Sequence, residues 1–319
     1  MLRSMYSGIS GLKNFQTKLD VIGNNIANVN TYGFKKGRVV FKDLMSQTTA
    51  GASSPTQTRG GVNAMQVGLG SQLAAIDTIQ GSGSLQTTAR TLDLAISGDG
   101  FFMVADSNGA PVDGVIDEEG YNNILYTRAG NFYLDKNGYL VNADGKYLVG
   151  HASDTLSIDA DDSIDGTEAE QQKADNGLAD IAGNVAEEVD FAADISPIRI
   201  PTTAQSMSIG QDGTVEYVDY KGDRQYAGQL ILAKFPNAGG LQKMGGNYFQ
   251  PTANSGDPYA QVATVGGIGS VASGSLEMSN VDLSEEFTEM IVAQRGFQSN
   301  TRIITTSDEI LQELVNLKR

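Results

Sequence analysis

The chain of 319 residues carries few side chains suited to covalent chemistry. It has no Cys, which removes thiolate nucleophiles, disulfides and zinc–thiolate sites. Its one His is His151. Nucleophilic and general acid–base chemistry need a base held beside a nucleophile, and a single imidazole leaves the usual pairs unfilled. The carboxylate pairs Glu118-Glu119 and Glu187-Glu188 lie in polar runs and read as solvated faces. Asp161, Ser163, Asp165 and Gly166 match positions one, three, five and six of a calcium loop, but position twelve is Gln172, where a bidentate Glu is needed. That loop is an incomplete metal candidate, so no metal and no cofactor is expected. Gly98-Asp99-Gly100 lacks both the G-x-G-x-x-G spacing and a following helix, and reads as a hairpin turn rather than a phosphate loop. The expectation is a protein that is not an enzyme.

Charge narrows the partners. The net charge is −16 and the isoelectric point near 4.4, which argues against nucleic acid. No apolar run reaches the roughly 18 residues that span a bilayer, so no membrane insertion is expected. The N-terminus lacks a compact apolar core with a small-residue cleavage site and does not read as a standard secretory signal. Residues 152–195 hold thirteen acidic side chains against Lys173 alone, and few apolar ones. They read as an acidic insertion or a small outer subdomain.

The elements with the clearest pattern are the two ends. Leu283, Phe287, Met290, Phe297, Ile304, Leu311 and Val315 step by fours, threes and sevens, a repeat of seven along one side of a long helix. Asp282 with Glu285 three residues on reads as a capping box. At the other end Leu2, Met5, Ile9, Leu12, Leu19 and Ile26 keep the same repeat, and Phe15, Ile22 and Val29 widen it. Gly8, Gly11 and Gly23 each weaken that helix by up to ~1 kcal/mol relative to Ala. A stripe this long needs another long helix. The expected fold is therefore α+β: N- and C-terminal helices (1–30 and 282–319) pairing as a coiled coil, with mainly antiparallel β structure over 76–150 and 196–281. Residues 31–75 read as an extended connecting segment, with 46–61 flexible on composition.

Four stretches carry a resemblance. SGISGLKNFQTKLDVIGNNIANVNTYGFKK (7–36), LAISGDGFFMV, YTRAGNFYLDKNGYLV, and the C-terminal run from Gly274 through NVDLSEEFTEMIVAQRGFQSNTRIITTSDEILQELVNLKR resemble the bacterial flagellar rod and hook axial proteins. The resemblance implies a structural subunit. LILAKFPNAGGLQKMGGNYF and the C-terminal run look closest to the hook, a curved tube that transmits motor torque from rod to filament. The distal rod protein is the alternative. A secreted adhesin would explain the acidity but not the matched stripes at both ends. The implied partners are further copies of the chain in a helical polymer, the distal rod protein, the hook–filament junction protein, the hook cap and the flagellar type III export apparatus. The stripe residues at both ends would be the assembly surface.

Overall fold

The computed structural model describes residues 2–107, 121–152 and 196–317, which fall into two compact units. The calcium-loop candidate Asp161, Ser163 and Asp165, and the rest of the acidic segment 153–195, lie outside the described residues.

The first unit comprises residues 1–29, 35–79 and 281–319. It holds helix α1 (Leu2–Ala27), strands β1 (Gly37–Asp43), β2 (Ser46–Ala50), β3 (Met65–Gly68) and β4 (Ser71–Thr78), and helix α2 (Leu283–Leu317). At 35 residues α2 is about 50 Å long. Asp282 caps it: the backbone N–H groups of Ser284 and Glu285 donate to its carboxylate at 2.8 and 3.4 Å. The second half of the expected capping box is absent, because the Glu285 carboxylate instead accepts from Lys36 Nζ at 2.8 Å.

The four strands form one long hairpin. β1 pairs antiparallel with β4 from Gly37↔Thr78 to Asp43↔Ser71, and β2 pairs with β3. Bridges Ser53↔Val62 and Thr56↔Arg59 carry the pairing to the tip. Residues 46–61, read above as flexible from composition, are thus the far limb of a ribbon. The reading missed this because Ser, Thr and Gln supply the cross-strand contacts. Gln66 Nε2 donates to Thr48 Oγ1 at 3.3 Å, with no apolar alternation to mark a strand.

The second unit comprises residues 30–34 and 80–280. Among the described residues it contains a twelve-stranded sheet in which every pairing is antiparallel. Its central strand, Arg224–Lys234, pairs with Thr214–Val218, Tyr147–Ala152, Tyr259–Val262 and Phe101–Ser107. Successive strand residues face opposite sides. Phe102, Val104, Leu230 and Leu232 accordingly enter one core with Leu94, Phe132 and Leu140. Phe101, Met103, Ile231 and Ala233 enter a second with Tyr126, Phe235 and Phe249. The continuous apolar runs at 101–104 and 230–232 are therefore strands buried on both faces.

Gly98-Asp99-Gly100 is not a hairpin turn, contrary to the expectation above. The strand before it, Leu94–Ser97, pairs with Ser270–Ser273, whereas the strand after it joins the large sheet. The turn is a corner between sheets. Both glycines have positive φ, and a Cβ on Gly98 would sit 2.9 Å from Gly269 Cα, so the corner needs a residue without one.

Burial raises the Tyr126 phenol from its ordinary value of 10.0 to about 12. Tyr226 and Tyr248 are raised as well, with burial the leading cause. A raised folded value means the stability is complete below the unfolded value and is lost as pH climbs through the folded one. For Tyr126 that window is about pH 10 to 12, and the loss amounts to about 2–3 kcal/mol. Urea midpoints measured across this window are expected to fall steeply, and less steeply in Tyr126→Phe. Identical slopes in the two chains would remove Tyr126 as a source of the alkaline loss.

Candidate functional site

The residues that make this chain unusual are those of the terminal helices, which lie antiparallel. Along α1, Gly8, Gly11, Phe15, Lys18 and Asn25 meet Ile304, Asn300, Gly296, Glu289 and Glu286 of α2 in turn. A Cβ on Gly11 would stand 2.5 Å from Asn300 Nδ2, and one on Gly296 between 2.6 and 2.9 Å from the ring of Phe15. The Phe15 ring is itself set edge-on to Phe41 of β1, 6.4 Å between centroids. Polar contacts finish the seam: Lys18 Nζ to Glu289 at 2.8 Å, and Asn25 Nδ2 to Glu286 at 3.1 Å.

The seam therefore mixes small and polar residues with Phe15, Ile22 and Ile304, and in α1 it runs on a face next to the apolar stripe. In α1 it follows Gly8, Gly11, Phe15, Lys18, Ile22 and Asn25, one residue, or about 100° of helix, ahead of Ile9, Leu12, Leu19 and Ile26. Ile9 is exposed, while Met5, Leu12, Leu19 and Ile26 are half-buried. The side chain of Leu2 lies outside the described ones. In α2, Met290, Ile304 and Leu311 are half-buried, and Leu283, Phe287, Phe297 and Val315 are exposed. Sequence reasoning took the glycines as helix weakeners and Phe15 and Ile22 as flanks of the stripe. The signal that places them in the seam is their own spacing of threes and fours, with glycine facing bulk. It also missed Asn25, whose neighbourhood of Asn residues reads as helix-ending chemistry.

Among the described residues of this unit, only Ile22 and Ala293 are fully buried apolar side chains. Large apolar side chains stand exposed on both helices and along the hairpin: Ile9 and Tyr6 on α1, Ile291, Val292, Ile303 and Ile310 on α2, Met45, Val62, Met65, Val67, Leu73 and Ile76 on or beside the hairpin. A two-stranded ribbon with both faces in water is marginal by itself. Among the described residues no group of His, Cys, Asp or Glu is arranged to hold a metal ion.

Three family patterns match the chain. Residues 5–35 match the family pattern described as flagella basal body rod protein. Residues 95–217 match the flagellar hook protein FlgE/F/G D1 domain, and residues 272–317 the C-terminal domain of the flagellar basal body rod FlgEFG proteins. Long helices at both ends of an antiparallel β body, these three patterns and full-length relatives together show that the chain belongs to the family of flagellar rod and hook axial proteins. It is a structural component of the bacterial flagellum, not an enzyme. The flagellar basal-body rod protein FlgG of Bacillus subtilis is 51% identical over 320 residues, covering all of both chains. The flagellar hook protein FlgE of Borreliella burgdorferi is 32% identical over 455 residues, again covering both. FlgG of Buchnera aphidicola (subsp. Schizaphis graminum) is 34% identical over 321 residues, covering 99% of this chain and all of its own.

Proposed function

We propose that this chain is the rod subunit of the basal body, the distal rod protein of the sequence expectation's alternative, rather than the hook subunit. The observation that carries the reading is the 51% match to a rod protein in 320 aligned positions, against 319 residues here. The alignment to the hook protein runs to 455 positions, so that relative carries a long stretch with no counterpart in this chain. The C-terminal run that suggested a hook falls within a pattern common to FlgE, FlgF and FlgG, so it does not separate rod from hook.

In this reading identical copies associate head to tail without closing, which yields a helical tube. The terminal helices pair as an antiparallel coiled coil. The stripes Leu2, Met5, Ile9, Leu12, Leu19, Ile26 and Leu283, Phe287, Met290, Phe297, Ile304, Leu311, Val315 are then covered by further copies. The support is energetic. Burying a Leu, Ile or Phe side chain is worth about 1.5–3 kcal/mol, and this unit buries almost none of its own. The hairpin is the connecting segment, and its exposed Met and Val side chains meet neighbouring copies. Other flagellar components would contact the two ends of the tube.

Electron microscopy of hook-basal bodies from a strain lacking this chain tests the assignment. A rod subunit leaves a shortened rod and no hook. A complete rod missing only its hook would return the chain to the hook.

A further inference from the structure

Small and polar seams select a helix register poorly, because a heptad slip replaces one small residue by another. Apart from the partly exposed Lys18–Glu289 pair, which contributes little, two contacts here distinguish the native register. One is the seat of Phe15 on Gly296. The other is Asn25, a side chain buried near the C-terminal end of α1 with every hydrogen-bonding group of its amide in use. Its Nδ2 donates to Gly37 O at 2.9 Å and to Glu286 Oε2 at 3.1 Å, and its Oδ1 accepts from Gly37 N–H at 2.9 Å. The pair of bonds to Gly37 copies a strand pairing and ties the first residue of β1 to α1. The third bond reaches the first turns of α2, where Glu286 is itself buried.

We propose that Asn25 is a positioning residue: its amide couples the register of α1 on α2 to the placement of the hairpin base. If α2 slips by a heptad, Ala293 takes the place of Glu286, which leaves one Asn25 N–H unpaired and the Glu286 carboxylate without its donor. Buried amide and charged groups left in this way are costly, and a lone polar residue in a helix seam is a known way to fix register. The register in turn decides which apolar side chains lie beside the seam. This consequence for assembly rests on the rod reading; the register lock itself rests only on the first unit.

The absence of Cys makes the test direct. Gly11→Cys with Asn300→Cys reports the native register. Gly11→Cys with Ala293→Cys or with Ser307→Cys reports slips of one heptad in either direction. All are introduced into the full-length chain and oxidised in whatever polymer it forms, so the readout does not depend on whether that polymer is rod or hook. With Asn25 present, the native pair is expected to cross-link at least ~10-fold better than the slipped pairs. In Asn25→Leu that preference falls by about 10-fold, the equivalent of one buried group left unpaired. Asn25→Asp sets two carboxylates together and loses the preference too. Adding Glu286→Gln to Asn25→Asp restores it in part, because the introduced amide donates to the introduced carboxylate while Gly37 O still lacks the donor that Nδ2 supplied. An unchanged preference in Asn25→Leu, or no rescue of Asn25→Asp by Glu286→Gln, overturns the proposal. If Asn25→Leu does not fold, the rescue pair decides the matter.

Discussion

Replacing Glu277 by Ala is expected to lower the thermal midpoint of the β unit by about 10 °C, the equivalent of ~3–5 kcal/mol. Glu277 and Arg128 form an ion pair at 3.1 Å, and both side chains are almost completely out of contact with water. The pair is a joint for several segments. Gly83 N–H donates to the Glu277 carboxylate at 2.8 Å, and Gly33 N–H donates to the Glu277 carbonyl at 2.8 Å. Arg128 donates to Gly98 O at 2.8 Å and lies 5.3 Å from the centre of the Phe101 ring. Removing the Glu277 carboxylate strands the Arg128 charge in a medium that cannot solvate it, and that desolvation is the source of the large cost. The same reasoning predicts that Arg128→Met with Glu277→Leu is milder than either single change. Calorimetry of the full chain and its variants checks both statements. A shift below about 2 °C for Glu277→Ala, or a double variant worse than the singles, would contradict them.

The second large effect concerns Gly296. Exchanging Gly for Ala inside a helix gains about 1 kcal/mol of helix propensity, while overpacking a seam costs about 1–3 kcal/mol. The new Cβ would press on the Phe15 ring, which is backed by Phe41 and cannot swing aside cheaply. Gly296→Ala is thus expected to be near neutral to mildly harmful. Gly296→Leu adds a side chain that the seat cannot hold, so it should separate the helices and abolish assembly and swimming. Phe15→Ala placed in the Gly296→Leu chain should recover part of the polymer, since it vacates the same volume. Sedimented polymer and swimming halos measure this, and a Gly296→Leu strain with normal halos would be the contrary result.

Several features were legible from residue types alone. The period of seven at both ends marked two long helices, because side chains seven apart return to one helix face whatever they pack against. The unbroken apolar runs at 101–104 and 230–232 have the composition of strands buried on both faces, which the two cores confirm. The motifs marked the rod and hook family. Other features were illegible for definite reasons. The far limb of the hairpin, 46–61, is held by backbone pairing and hydroxyl or amide contacts, which leave no apolar alternation to read. Glu285 fits a capping box by spacing, yet Lys36, far away in sequence, takes its carboxylate.

What residue order alone determined is the set of surfaces: long apolar stripes on helices at both ends, an acidic segment, an antiparallel β body, and no catalytic groups. Only the tertiary structure decided how those surfaces are used. Large side chains cannot approach as closely as Gly8, Gly11 and Gly296 allow, so the helices of one chain meet along the glycine face. In α1 the apolar stripe is thereby left beside the seam, facing whatever comes next.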